Sequence, residues 1–70
     1  MKWEYYSPWR GVQYSDDPSD LLVRAVYDNI DNSDDYDEVE ARFSNLPVQV
    51  ESLSVGESQN FGLVSITRIE

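Results

Sequence analysis

Residues 16–43 read DDPSDLLVRAVYDNIDNSDDYDEVEARF. They hold most of the acid in a 70-residue chain, and whether they form a tail or a packed element decides the fold. The apolar spacing answers this. Asp17 precedes Pro18, Ser19 and Asp20, which is a helix start: Asp17 caps free amides, Pro18 suits the first helical position, and Asp20 meets the positive end of the dipole. Leu21, Leu22, Ala25, Val26 and Ile30 follow at helical spacing, with Val23 on the flank. Asp20, Arg24 and Asp28 fall four apart on the other side, so Arg24 can pair with either acid. The pattern predicts an amphipathic helix over about residues 18–30.

A break from Asn29 to Ser33 follows, and Ser33 or Asp34 is expected to cap a second helix over about residues 34–45. Its apolar residues, Tyr36, Val39, Phe43 and Leu46, form a narrow stripe, and acids cover nearly everything else. Each helix has an apolar stripe to dock, so the acidic stretch reads as two helices rather than as a solvated tail.

Outward from this stretch the periodicity changes. Residues 2–7 alternate Trp3 and Tyr5 against Glu4 and Tyr6 and read as a strand. Pro8 to Gly11 reads as a turn, and Val12-Gln13-Tyr14 as a brief extension of the sheet. On the other side, Pro47 is expected to stop the second helix, and Val48 and Val50 alternate with Gln49 and Glu51 as a short strand. A turn is expected near Gly56, then one strand from Phe61 to Ile69 with a bulge at Gly62. The order is β-α-α-β-β. The expected fold is a single α+β domain over residues 1–70, an antiparallel sheet with two helices packed on one face.

Composition narrows the function. There is no Cys and no His, which excludes a disulfide framework, a Cys/His zinc site and His-assisted nucleophiles. No apolar run approaches the roughly 20 residues of a membrane-spanning helix, and MKWEYYSPWRG lacks the apolar core of a secretory signal. Aromatics make up 13% of the chain, too many for an acidic disordered tail. Clustered carboxylates without a tuning partner read as solvated surface rather than as acid/base catalysts, so no catalytic residue, cofactor or metal is expected. Asn29, Asp31, Ser33 and Glu40 match positions 1, 3, 5 and 12 of a calcium loop, but position 6 is Asp34 where Gly is required. Trp3, Tyr5, Tyr6, Trp9 and Tyr14 lack the basic flanks of a base-stacking platform.

Charge carries the functional signal. The formal net charge is −9, and residues 16–40, with ten acids against Arg24, hold all of it; the rest of the chain is neutral. Direct contact with nucleic acid or with an anionic membrane is disfavoured, and a basic partner is expected. Carboxylates three and four apart on a helix lie about 5–6 Å from one another, comparable with phosphates along a strand. Asp28, Asp31, Asp34, Asp35, Asp37, Glu38 and Glu40 are the candidate partner-binding acids, with Trp9 and Tyr14 as apolar anchors beside them. The competing reading is a protein–protein or dimerisation module that works through its sheet or aromatic patch, the acids serving solubility.

The helical acids in DLLVRAVYDNIDNSDDYDEVEARF, with the compact tail LSVGESQNFGLVSITRIE, resemble a class: the small acidic phage-encoded inhibitors of bacterial defence, including anti-CRISPR proteins and other DNA mimics. That class shares size, charge and composition but no signature motif. The resemblance implies a non-enzymatic inhibitor acting in the bacterial cytoplasm, encoded by a phage or mobile element. It would act as a monomer or weak homodimer and block a nucleic-acid-binding surface of a CRISPR effector or another defence nuclease.

Overall fold

The structure is a computed structural model that describes residues 1–30 and 35–70. The chain forms β1 (Trp3–Ser7), β2 (Gly11–Ser15), α1 (Pro18–Asn29), α2 (Tyr36–Arg42), α3 (Leu46–Glu51), β3 (Ser58–Phe61) and β4 (Val64–Arg68). The four strands make one antiparallel sheet in the order β2-β1-β4-β3. The chain ends therefore run side by side on the two central strands, with Trp3 opposite Arg68 and Tyr5 opposite Ile66. With the β1–β2 hairpin as the first β unit and α2–α3 as the second helical one, the β-α-α-β-β order and the α+β class hold.

Alternation along the strands gives the sheet two unlike faces. Trp3, Tyr5, Phe61, Val64 and Ile66 point inward and are buried against Leu21 and Ala25 of α1, Leu46 and Val50 of α3, and Leu53. Leu22 and Phe43 close the margin of this core, and the Phe43 and Phe61 rings meet edge to face at 6.3 Å. The Trp3 indole N–H donates to the Val50 carbonyl (2.8 Å), which ties α3 to the central strand and satisfies the one polar atom of a buried ring. The opposite face, with Tyr6, Val12 and Tyr14, is open to solvent.

Helix α1 forms as its sequence dictates. Asp17 is extended and its carboxylate accepts from the Ser19 N–H, Pro18 occupies the first turn, and Leu21, Ala25 and Val26 are buried. The helix ends at Asn29, with Ile30 as its C-cap. In α2, Asp35 caps the Asp37 N–H (2.9 Å) and Val39 is buried. The helix ends at Arg42, before the expected residue 45; residue 34 lies outside the described residues.

The short strand expected over Val48 to Glu51 is instead part of helix α3. Pro47 stands in the first turn of this helix, where a missing N–H costs nothing, and so begins one helix rather than stopping another. The Val-Gln-Val alternation suggested a strand, but burial follows a helical step: Leu46, Val50 and Leu53 are buried while Val48 is exposed. The single strand expected over Phe61–Ile69 is a hairpin, β3 and β4, in which Phe61 pairs with Val64 across the two-residue turn Gly62-Leu63. Gly62 is thus a turn residue and not a bulge. Its φ of 63° at the first turn position fits the type II′ geometry that matches strand twist. The Val12–Tyr14 extension is a full strand, β2, entered through Gly11 at φ 71°.

Candidate interaction surfaces

The acids of the central stretch divide between two roles. Asp28 was expected to face a partner, and here the expectation needs correcting. Its side chain is only 7% exposed. It accepts the Tyr5 hydroxyl (2.6 Å, Oδ2) and takes Arg10 Nε on both oxygens (2.8 and 2.9 Å). The Arg10 N–H in turn donates to the buried Ser7 Oγ (2.9 Å). Burial of the Tyr5 phenol, then the bond to Asp28, pushes its pKa well above the usual tyrosine value. The hydrogen bond to Asp28 likewise raises Arg10. Asp28 therefore fastens the β1–β2 turn onto α1. Asp20 forms the second ion pair of α1, with Arg24 Nη2 at 2.7 Å.

Neighbouring Asn29 is also structural. Its amide N–H group donates to the Ala25 and Phe61 carbonyls (2.8 and 3.0 Å), and its Oδ1 accepts from the Leu63 N–H (2.9 Å). Asn29 so clamps the β3–β4 turn to the end of α1. The oxygen-ligand window that begins at Asn29 runs through residues 31–34, which lie outside the described residues, as do the candidate acids Asp31 and Asp34. Among the described residues no group of three or more acids is placed to hold a metal ion.

Helix α2 places its acids differently. Asp35, Asp37, Glu38 and Glu40 are all exposed. At about 100° per residue, Asp37, Glu38 and Glu40 span roughly 160° of arc on the side away from Val39. Asp35 spends one oxygen on the cap. The Tyr36 ring packs on Tyr27 of α1 with centroids 5.3 Å apart, which holds the start of the helix. Desolvation, then the Glu40 charge, raises the Tyr36 phenol pKa.

The two aromatic candidates are not brought together with these acids. Trp9 is 61% exposed at the tip of the β1–β2 turn, which the Arg10–Asp28 pair draws toward the C-terminal end of α1. Tyr14 lies on the open face of the sheet, opposite the helical layer, with Lys2 Nζ 5.5 Å from its ring centroid. Tyr6 and Val12, directly opposite each other on that open face, were not among the expected site residues. The alternation of residues 2–7 already assigned Tyr6 to the outer side; what it lacked was the register that brings Val12 beside it.

A shallow cavity of about 450 Å³ is lined by Met1, Lys2, Tyr14, Ser15, Asp16 and Glu70. No helix among the described residues is long and apolar enough to cross a membrane. Comparison with known proteins gives no match: no family model, no curated protein and no solved structure is significantly similar to this chain.

Proposed function

We propose that the protein is a non-enzymatic inhibitor that binds a basic, nucleic-acid-binding surface of a bacterial defence complex, in the manner of an anti-CRISPR or DNA-mimic protein. The binding face is the outer side of α2: Asp37, Glu38 and Glu40, with Asp35 at the cap and Asp31 and Asp34 in the same stretch of sequence. The partner is a CRISPR effector or a related defence nuclease, met in the cytoplasm of a bacterial cell; nucleic acid and membrane are not direct partners. The observation that supports this reading is the separation of roles. The acids of α1 are neutralised by Arg10 and Arg24, whereas those of α2 project into solvent from a helix anchored by Val39 and Tyr36.

A helix held by packing presents its carboxylates at fixed spacing, so a groove shaped for phosphates meets them with little ordering cost. The attraction is long-range and screened by salt, with a range of about 8 Å at physiological ionic strength. Binding is therefore fast at low salt and weak at high salt.

The test is target cleavage by purified CRISPR effector complexes, with and without the protein, at low and high salt. Asp35 is left intact in the variant, because its cap holds the helix. The wild-type chain is expected to suppress cleavage by a susceptible effector, and Asp37→Lys/Glu38→Lys/Glu40→Lys to lose that suppression while keeping its helical circular dichroism. Undiminished inhibition by the folded triple variant rules out the acidic face.

A further inference from the structure

The two edge strands are attached in different ways. β3 sends Phe61 into the core and is clamped beside it by Asn29. β2 sends no side chain there. Gly11, Gln13 and Ser15 lie opposite Ser7, Tyr5 and Trp3 and so face the helical layer, but they are only half-buried, and Val12 and Tyr14 face solvent. Apart from its pairing with β1, what ties this edge of the sheet to α1 is polar.

That polar seam has a regular geometry. On α1, Asp20, Arg24 and Asp28 stand at four-residue steps, about 6 Å apart along the axis. On β2 the inward positions recur every two residues, about 6–7 Å apart. The two rows run antiparallel and stay in step. At one end Ser15 Oγ donates to Asp20 Oδ2 (3.2 Å); at the other Arg10 Nε donates to Asp28. Between these rungs Arg24 falls level with Gln13, which lies opposite Tyr5, whose phenol the Arg24 charge reaches. The matching fails here. Arg24 Nη1 and Gln13 Oε1 are both buried and both without a hydrogen-bond partner. Closing the seam withdraws these two atoms from water without compensation, so its middle favours opening.

We propose that β2 is a latch: the segment from Pro8 to Asp16 leaves β1 and α1 as one unit and rejoins them, while β1, β4, β3 and the helices stay packed. Opening breaks the hydrogen bonds to β1 and the two polar rungs, and it returns Arg24 and Gln13 to water. The core side chains remain together, because they belong to the other strands, the helices and Leu53. Local units of this kind open at a lower free energy than the whole domain. Opening also bares the edge of β1, a central strand of the closed sheet. The latch uses no residue of α2, so its failure leaves the acidic-face reading untouched.

The test is native-state hydrogen exchange on the full chain, read amide by amide across a series of sub-denaturing urea concentrations. The amides that bond β1 to β2 are expected to share one opening equilibrium, at least about tenfold more favourable than that of the amides bonding β1 to β4, and nearly independent of urea. Ile66→Val weakens core packing that the closed and open latch have in common. It is expected to speed β1–β4 exchange about threefold to tenfold and to leave β1–β2 exchange unchanged. Gln13→Leu/Arg24→Leu removes both unpaired atoms together and is expected to slow β1–β2 exchange. The proposal is overturned if β1–β2 amides exchange as slowly as β1–β4 amides, or if Ile66→Val speeds both sets alike. It is also overturned if the β1–β2 amides open one by one with no shared value, or if the double leucine variant leaves their exchange unslowed.

Discussion

Helices α1 and α2 come from one acidic stretch, yet they use their carboxylates in opposite ways. In α1, Asp17 caps, Asp20 pairs with Arg24, and Asp28 gathers Tyr5 from β1 and Arg10 from the β1–β2 turn. In α2, Asp37, Glu38 and Glu40 stand in solvent. Acidic composition is thus a poor guide to acidic surface. The difference follows from what each helix packs on. One side of α1 lies near the β1–β2 turn, which carries Arg10, whereas α2 packs on α1 and leaves its acids exposed.

This contrast predicts a graded series of effects. The largest is expected for Asp28→Ala, which strands the buried Tyr5 hydroxyl and frees Arg10. Arg10 keeps partial access to water, which limits the loss to about 2–3 kcal/mol of stability by chemical denaturation. A loss below about 0.5 kcal/mol, the scale of ordinary surface substitutions, would erase the distinction between the two helices.

Gly62→Ala comes next. It demands a positive φ from a residue with a side chain, and its Cβ would clash with Asn29 Oδ1. The expected cost is about 1–3 kcal/mol, with a lowered melting temperature. Asn29→Ala/Gly62→Ala separates the two causes, since the double variant relieves the clash but not the backbone strain.

Tyr5 sharpens the comparison through pH. Its folded-state pKa is raised by burial and by Asp28, while the unfolded chain titrates near pH 10. Above about pH 10 the unfolded state binds fewer protons than the folded one, so stability falls as pH rises through that range and is fully present below it. Tyr5→Phe is expected to flatten the alkaline limb of a stability–pH profile. An unchanged limb would show that the Tyr5–Asp28 bond is not coupled to folding.

The smallest effect on stability belongs to α2. Asp37→Ala, Glu38→Ala and Glu40→Ala are each expected to change stability by no more than about 0.5 kcal/mol, read from the same denaturation curves. A larger loss at any one of them would mean that the acid supports the fold and is not held free for a partner.

Much of this architecture was legible in the residues. The cap and proline at Asp17-Pro18 and the spacing of Leu21, Ala25 and Val26 define α1 without tertiary information, and the alternation of Trp3 and Tyr5 defines the inner face of β1. The structure departs from the sequence pattern where one local signal admits two structures. Proline ends a helix or opens one, and Val48–Val50 alternates over a stretch too short to establish a period. Phe61 to Val64 reads as continuous strand because Gly62-Leu63 makes a turn without polar residues. Asp28 reads as a surface acid for a different reason: its partners, Tyr5 and Arg10, lie 23 and 18 residues away and meet it only once the sheet and helix are docked.

The pairing of the first strand with the last has a consequence for synthesis. Trp3 and Tyr5 have no neighbours on the β4 side until Ile66 and Arg68 exist, and the helices made between them have only half a sheet to cover. Contacts of such long sequence separation slow folding. The nascent polypeptide therefore lacks the β4 side of its core, beside Trp3 and Tyr5, until β4 has left the ribosome. During that interval the negative charge of the middle segment keeps growing chains apart.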